Sequence, residues 1–213
     1  MVQRIELGDG DVLLIIDVQL DFCPGGGLAV AGGDEVVPVI NRLAGRFAHV
    51  ILTQDWHPRD HRSFASMHSG KKPFESVTLP YGQQVLWPDH CVQGTRGAEF
   101  HPNLRVPQAE LVLRKGFRAD VDSYSAFFEN DRTTRTGLTG YLRERGFRRV
   151  FLVGLALDYC VRYSAEDAIK AGFAATVIAD ACRGIGAGTV VAAQRSFAEL
   201  GVASAESAMI GRP

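Results

Sequence analysis

The 213-residue chain, 46% hydrophobic and 22% charged, has the composition of a globular fold with a full-sized core, which excludes disordered and fibrous classes. Its 23 Lys+Arg against 24 Asp+Glu leave a formal charge of -1, and the basic cluster at 143–149 is broken by Glu144, Gly146 and Phe147, so nothing points to a nucleic-acid or anionic-membrane partner. No window reaches the roughly 18 apolar residues of a membrane span, and residues 1–11 lack the order of a signal peptide, which predicts a cytoplasmic location.

The run DVLLIIDV at 11–18 is apolar almost throughout and holds Asp17 at its end, the pattern of a strand buried on both faces of a parallel sheet. Val36, Ile40, Leu43 and Phe47 then step by three and four, which predicts a helix. A second strand is expected at 49–53 (HVILT). Residues 56–103 follow as a long aperiodic stretch carrying five of the six histidines; loops of that length in a compact domain are usually functional or disordered. Further strands are expected at 110–113, 149–153 and 175–179, with a sixth at 202–209. Helices are expected at 136–145, 161–171 and 190–200, each stopped by a glycine: Gly146, Gly172 and Gly201. The alternation predicts an α/β fold: a three-layer α/β/α domain over 1–213, with a mostly parallel five- or six-stranded sheet, helices on both faces, and a long loop region at about 54–103.

Ligands of such sheets bind beyond the carboxyl ends of the strands. Asp17 closes the first run, Gln54 and Asp55 the second, Arg114 and Lys115 the third, and 154–160 follows the fourth. Alone, Asp17 reads as a turn residue, Lys115 as a solvated surface cation and Cys160 as a small hydrophobe. Together at one sheet edge they form a base, a cation and a nucleophile. Cys160 also precedes a helical run, so the helix dipole and an ammonium are both expected to lower its pKa. The other cysteines, Cys23, Cys91 and Cys182, form no CxxC pair, and all four are expected as reduced thiols.

Asp55 and His57 share one side of an extended strand end, where mixed carboxylate and imidazole ligation suits Zn, Fe or Mn. The third ligand is open among His61, His68, His90 and His101. His90 is preferred, because Pro88 holds its turn rigid.

These residues resemble the nicotinamidase/pyrazinamidase family of isochorismatase-like cysteine hydrolases along nearly the whole chain. The resemblance is carried by 17–22 (DVQLDF), 25–30 (GGGLAV), 53–58 (TQDWHP) with His61, 87–95 (WPDHCVQGT), 97–101 (GAEFH), Lys115-Gly116 and 153–161 (VGLALDYCV). It implies Asp17, Lys115 and Cys160 as catalytic residues and Ala156 and Cys160 N–H groups as an oxyanion hole. It further implies Phe22, Trp87 and Tyr124 at the substrate ring, a cis peptide at Leu155-Ala156, and one divalent metal, Zn foremost with Fe or Mn as alternatives, on Asp55, His57 and His90. In some relatives the histidine matching His61 is a further ligand.

The implied activity is deamidation of nicotinamide, and of pyrazinamide, through a thioester, as in NAD salvage. Assembly into a homo-oligomer is compatible with the sequence. Leu20 stands where asparagine is common, and Leu157-Asp158-Tyr159 replaces a Thr-Asp-His-like run; both are expected to change pocket polarity. The competing readings are another small-amide or isochorismatase-type hydrolase, and a non-catalytic metal- or ligand-binding module. The filled D-x-H and His90 positions disfavour the first of these.

Overall fold

The computed structural model describes residues 4–211. In chain order it contains β1 (Ile5–Glu6), β2 (Asp11–Ile16), α1 (Val36–Ala44), β3 (His49–Asp55), β4 (Ser76–Leu79), β5 (Gly82–Val85) and β6 (Leu111–Lys115). There follow α2 (Leu138–Glu144), β7 (Arg149–Leu155), α3 (Arg162–Lys170), β8 (Ala174–Arg183), α4 (Ala187–Leu200), β9 (Ala203–Ala205) and β10 (Ile210–Gly211).

Six strands form one parallel sheet in the order β6-β3-β2-β7-β8-β9. The strand order reverses between β2 and β7, which opens a crevice beyond their carboxyl ends. Alternation of side chains fills two cores. Leu13 and Ile15 of β2, with Phe151 and Val153 of β7, pack under α1 through Val36, Val37, Ile40 and Leu43. Val12, Leu14 and Ile16 face the other way, onto Leu138 and Leu142 of α2, Ala165 and Ala168 of α3, and Ala193 and Phe197 of α4. Every β2 side chain is therefore buried, as its unbroken apolar run requires. The expected three layers with helices on both faces are present.

Several boundaries differ from expectation for local reasons. β8 extends to Arg183 because, after a register shift, it pairs again with Gly154 and Leu155. The expected sixth strand over 202–209 shortens to β9, followed by a tight turn at Ser207–Met209; β10 then pairs with β1. The stretch 56–103 holds the antiparallel β4–β5 hairpin, and the parallel bridges His57 to Val92 and Phe64 to Trp87 fold it against itself. No helix among the described residues is long and apolar enough to cross a membrane.

Candidate active site

Asp17 is the residue after β2, fully buried, with φ +46, a left-handed conformation that aspartate tolerates better than most residues. The Thr53 hydroxyl donates to Asp17 Oδ1 at 2.6 Å and accepts from the Asp17 N–H at 3.1 Å. Oδ2 lies 2.8 Å from Lys115 Nζ, an ion pair with both partners fully buried.

Lys115, at the end of β6, is 1% exposed and is held on four sides. Besides Asp17, its ammonium meets Asp55 Oδ1 at 2.9 Å, the Ser123 carbonyl at 2.9 Å and Cys160 Sγ at 3.4 Å. Burial alone would depress its pKa, yet the two carboxylates outweigh burial and hold it well above the ordinary lysine range. Lys115 is thus a permanent cation with two anions and a thiol around it.

Cys160 lies in a widened turn at Leu157–Val161 leading into α3. Gly154 permits this arrangement: with φ +113, a Cβ there would sit 2.1 Å from the Ile16 carbonyl, so only glycine lets β7 run this close to β2. The Leu155-Ala156 peptide is cis, as the resemblance implies.

The expectation of a lowered thiol pKa is not met. Burial pushes the Cys160 thiol well above its usual range, and Lys115 only partly opposes this. Asp17 is raised as well, chiefly by burial and further by the charge of Asp55, against the pull of Lys115. The thiol therefore favours its protonated form and the Asp17 carboxylate is a stronger base than a solvated one, so the pair suits proton transfer from thiol to carboxylate better than a standing thiolate.

Beside this trio, Asp55, His57 and His90 bring one donor atom each to within 4.8 Å of one another, all buried. His57 Nδ1 is 2.8 Å from the Gly116 carbonyl and His90 Nδ1 is 2.8 Å from the Pro88 carbonyl. Those contacts turn the Nε2 atoms inward, 2.9 Å and 3.4 Å from Asp55 Oδ2. Such outer carbonyls fix the tautomer of metal-binding imidazoles, so carboxylate, two oriented imidazoles and burial together fit a divalent cation. Gly116 is obligatory here too, since a Cβ would meet His57 Cε1 at 2.5 Å.

Burial raises the Asp55 pKa, but His57 and Lys115 outweigh it and keep the carboxyl well below the usual range. Gln19 anchors the Asp55 backbone from both sides, accepting its N–H at 2.8 Å and donating to its carbonyl at 2.8 Å. Asp21 Oδ2 accepts the Cys91 N–H at 2.6 Å, tying down the His90 loop.

The other histidine candidates separate cleanly. His68 is bonded to the Arg62 carbonyl and His101 accepts from the Asn103 N–H, both away from the cluster. His61 stacks 4.1 Å from His57 and forms an overlapping triplet with His57 and Asp122. Its Nδ1 is taken by Ser63 Oγ at 2.7 Å, and burial and His57 lower its pKa to about 4, so the ring is neutral.

A narrow cleft with about 320 Å³ of atom-free space, mouth included, joins the two groups. Asp55, His90 and Cys160 meet there with Phe22, Trp87 and Tyr124. The narrowness and aromatic walls of the cleft suit a small planar molecule. Trp87 and Tyr159 meet edge to face at 4.8 Å, so Tyr159 adds a wall that the sequence left unassigned. Asp122, whose Oδ1 is 4.0 Å from His57 Nε2, also lines the cleft; its place in the acidic run after Lys115 was the available signal.

Of the two departures from the family pattern, Leu20 does not reach the cleft, so its expected effect on pocket polarity is not found. Of Leu157-Asp158-Tyr159 only Tyr159 lines it; the Asp158 carboxylate instead accepts the N–H groups of Ile185 and Gly186 at 3.0 Å and the Thr189 hydroxyl at 2.5 Å. It thereby caps the start of α4 and braces the Cys160 turn. Asp158→Ala orphans those donors and is expected to cost about 2–3 kcal/mol in stability. Urea unfolding reads this directly, and a loss below about 0.5 kcal/mol would show that the cap contributes little.

An amine, a carboxylate and a thiol in contact beside a pocket that fits a divalent cation form the arrangement of a hydrolase site. The isochorismatase-domain profile matches residues 11–208. A nicotinamidase of Acinetobacter baylyi is 56% identical over 182 residues, covering 85% of each chain. Among solved structures, a nicotinamidase/pyrazinamidase of Acinetobacter baumanii superposes with TM-score 0.94 at 54% identity, covering 95% of this chain and 99% of that one. A pyrazinamidase of Pyrococcus horikoshii in complex with zinc gives TM-score 0.77 at 32% identity, covering 92% and 99%. The chain belongs to the isochorismatase family and, within it, to the nicotinamidase group.

Proposed function

We propose that the chain hydrolyses the carboxamide of nicotinamide to nicotinic acid and ammonia, serves NAD salvage in the cytoplasm, and also accepts pyrazinamide. The observation carrying this reading is the contact of Lys115 with Asp17, Asp55 and Cys160 together at the edge of an aromatic-walled cleft.

In this reading Asp17 takes the Cys160 thiol proton as sulfur attacks the amide carbon, and Lys115 compensates the negative charge that develops. The oxyanion is held by the Ala156 and Cys160 N–H groups. Asp17 returns the proton to nitrogen, the C–N bond breaks and ammonia leaves an acyl thioester on Cys160. A water molecule, deprotonated by the freed Asp17 carboxylate, then attacks the thioester carbon. The acid departs, and the thiol regains its proton from Asp17. Asp55, His57 and His90 would hold one divalent metal ion, with zinc first in preference and iron or manganese as alternatives, and such an ion would supply Lewis acidity toward the ring nitrogen. Phe22, Trp87 and Tyr124 bind the ring face and edge.

Ammonia release from nicotinamide by the purified protein tests the reading. Turnover is expected, with loss on chelation and recovery with one of the three metals. A chain that releases no ammonia in any metal-loaded form would instead be a ligand-binding module. Anchoring through the ring nitrogen also predicts discrimination against benzamide, which lacks that atom, of about 100-fold or more in kcat/KM. Equal turnover of the two amides would remove the anchoring role while leaving the cysteine chemistry intact.

A further inference from the structure

Gln84, on β5, is 1% exposed, and its side-chain amide is enclosed by polar groups from three segments. Nε2 lies 2.7 Å from the Val85 carbonyl, 2.8 Å from Asp122 Oδ2 and 2.9 Å from the Tyr124 hydroxyl oxygen. Oε1 accepts from the Tyr81 hydroxyl at 3.0 Å and from the Asn130 amide at 3.3 Å. Turning the amide by half a rotation would set its oxygen against a carboxylate and a backbone carbonyl, and its NH2 against the Asn130 NH2. The surroundings therefore fix which end is which.

That orientation determines the direction of a second hydrogen bond. The Tyr124 oxygen faces Gln84 Nε2 and, at 3.2 Å, the Trp87 indole nitrogen, and both nitrogens can only donate. The two Gln84 protons are shared among three acceptors, but neither nitrogen can accept, so the phenol must place its own proton elsewhere, and among the described residues none accepts it. Tyr124 lines the cleft together with Cys160, His90 and Asp55.

We propose that Gln84 is a positioning residue: with the Trp87 N–H it makes the Tyr124 hydroxyl a one-way hydrogen-bond donor to an acceptor atom of the heteroaromatic amide in the cleft. The inference rests on the nicotinamide reading above. It gives the β4–β5 hairpin, which carries no residue of the catalytic trio or the cation cage, a part in substrate selection: molecules presenting a donor to Tyr124 are disfavoured, because two donors would face each other.

Steady-state kinetics of Tyr124→Phe, Gln84→Glu and the double variant test this. Tyr124→Phe removes the donor and keeps the ring; KM for nicotinamide is expected to rise about 10-fold, with kcat within about 3-fold, the size of one neutral hydrogen bond. Gln84→Glu sets an acceptor oxygen where Nε2 stood and captures the Tyr124 proton, so it is expected to reproduce the KM rise. The double variant is expected to be no worse than the weaker-binding single variant by more than about 2-fold. Should the glutamate beside Asp122 prevent folding, Gln84→Met replaces it: a smaller KM rise is expected, which adding Tyr124→Phe brings to the Tyr124→Phe value. An unchanged KM for Tyr124→Phe, or losses that multiply in the double variant and fall on kcat, would overturn the proposal. A parent protein that does not release ammonia from nicotinamide would instead sink the substrate reading, so the two failures are distinguishable.

Discussion

Cys160→Ala is expected to lower kcat on nicotinamide by about 10⁴-fold or more, close to 5.5 kcal/mol of transition-state stabilisation. The size follows from the absence of a substitute nucleophile. The other three cysteines are buried, and burial pushes Cys182 up to about 12 and, helped by Asp34, Cys23 up to about 11. Neither lies near Lys115 in the way Cys160 does, with its sulfur 3.4 Å from the ammonium.

The same variant is expected to keep the fold within about 1 kcal/mol, because the ion pairs of Lys115 with Asp17 and Asp55 survive the loss of one sulfur atom. Nicotinamide binding should persist in a calorimetric titration, and Cys182→Ala should turn over like the parent. Residual activity above about 1% in Cys160→Ala would show that the thiol is not the attacking group.

How much of this was readable in the sequence depends on how local the signal is. Asp17, Asp55 and Lys115 stand at the ends of apolar runs, and a strand end in a parallel sheet has one exit, so their convergence followed from pattern alone. Asp55 and His57 announce themselves through alternation. His90 stands out in the sequence only through the turn that Pro88 fixes, because what delivers it is the parallel bridge of His57 to Val92 and the Asp21 to Cys91 bond, neither of which has a periodic trace.

The Cys160 pKa departs from expectation for a comparable reason. A helix start and a nearby lysine are visible in the chain, whereas the depth at which the sulfur sits is a property of the packed molecule. Gln84 was silent: a glutamine in the polar run GQQV looks like a solvated edge strand until the segment containing Asp122 and Tyr124 closes over it.

Lys115→Met is expected to damage stability and turnover together, in a way that pH can separate. Methionine keeps much of the length and volume of lysine, so the change leaves little cavity and is mainly electrostatic. What it leaves behind is severe: Asp17 and Asp55, both nine-tenths or more buried, lose the ammonium that sits 2.8 Å and 2.9 Å from them. Breaking a buried pair by removing one partner costs about 3–5 kcal/mol. Turnover should fall about 10³-fold, since charge developing on sulfur and carboxylate is no longer compensated.

Asp17 is already raised by burial even with Lys115 present, and without it the carboxyl must rise further. A carboxyl whose folded pKa exceeds its unfolded value binds its proton more tightly in the native state. The native state therefore loses stability as pH climbs from the unfolded pKa through the folded one. The deficit of Lys115→Met relative to the parent should accordingly narrow on going from about pH 8 to about pH 5, where protonation of Asp17 relieves the uncompensated charge. Urea unfolding across that range measures it. A deficit that is below about 1 kcal/mol, or that stays constant with pH, would mean that the ammonium does not hold the two carboxylates ionised side by side.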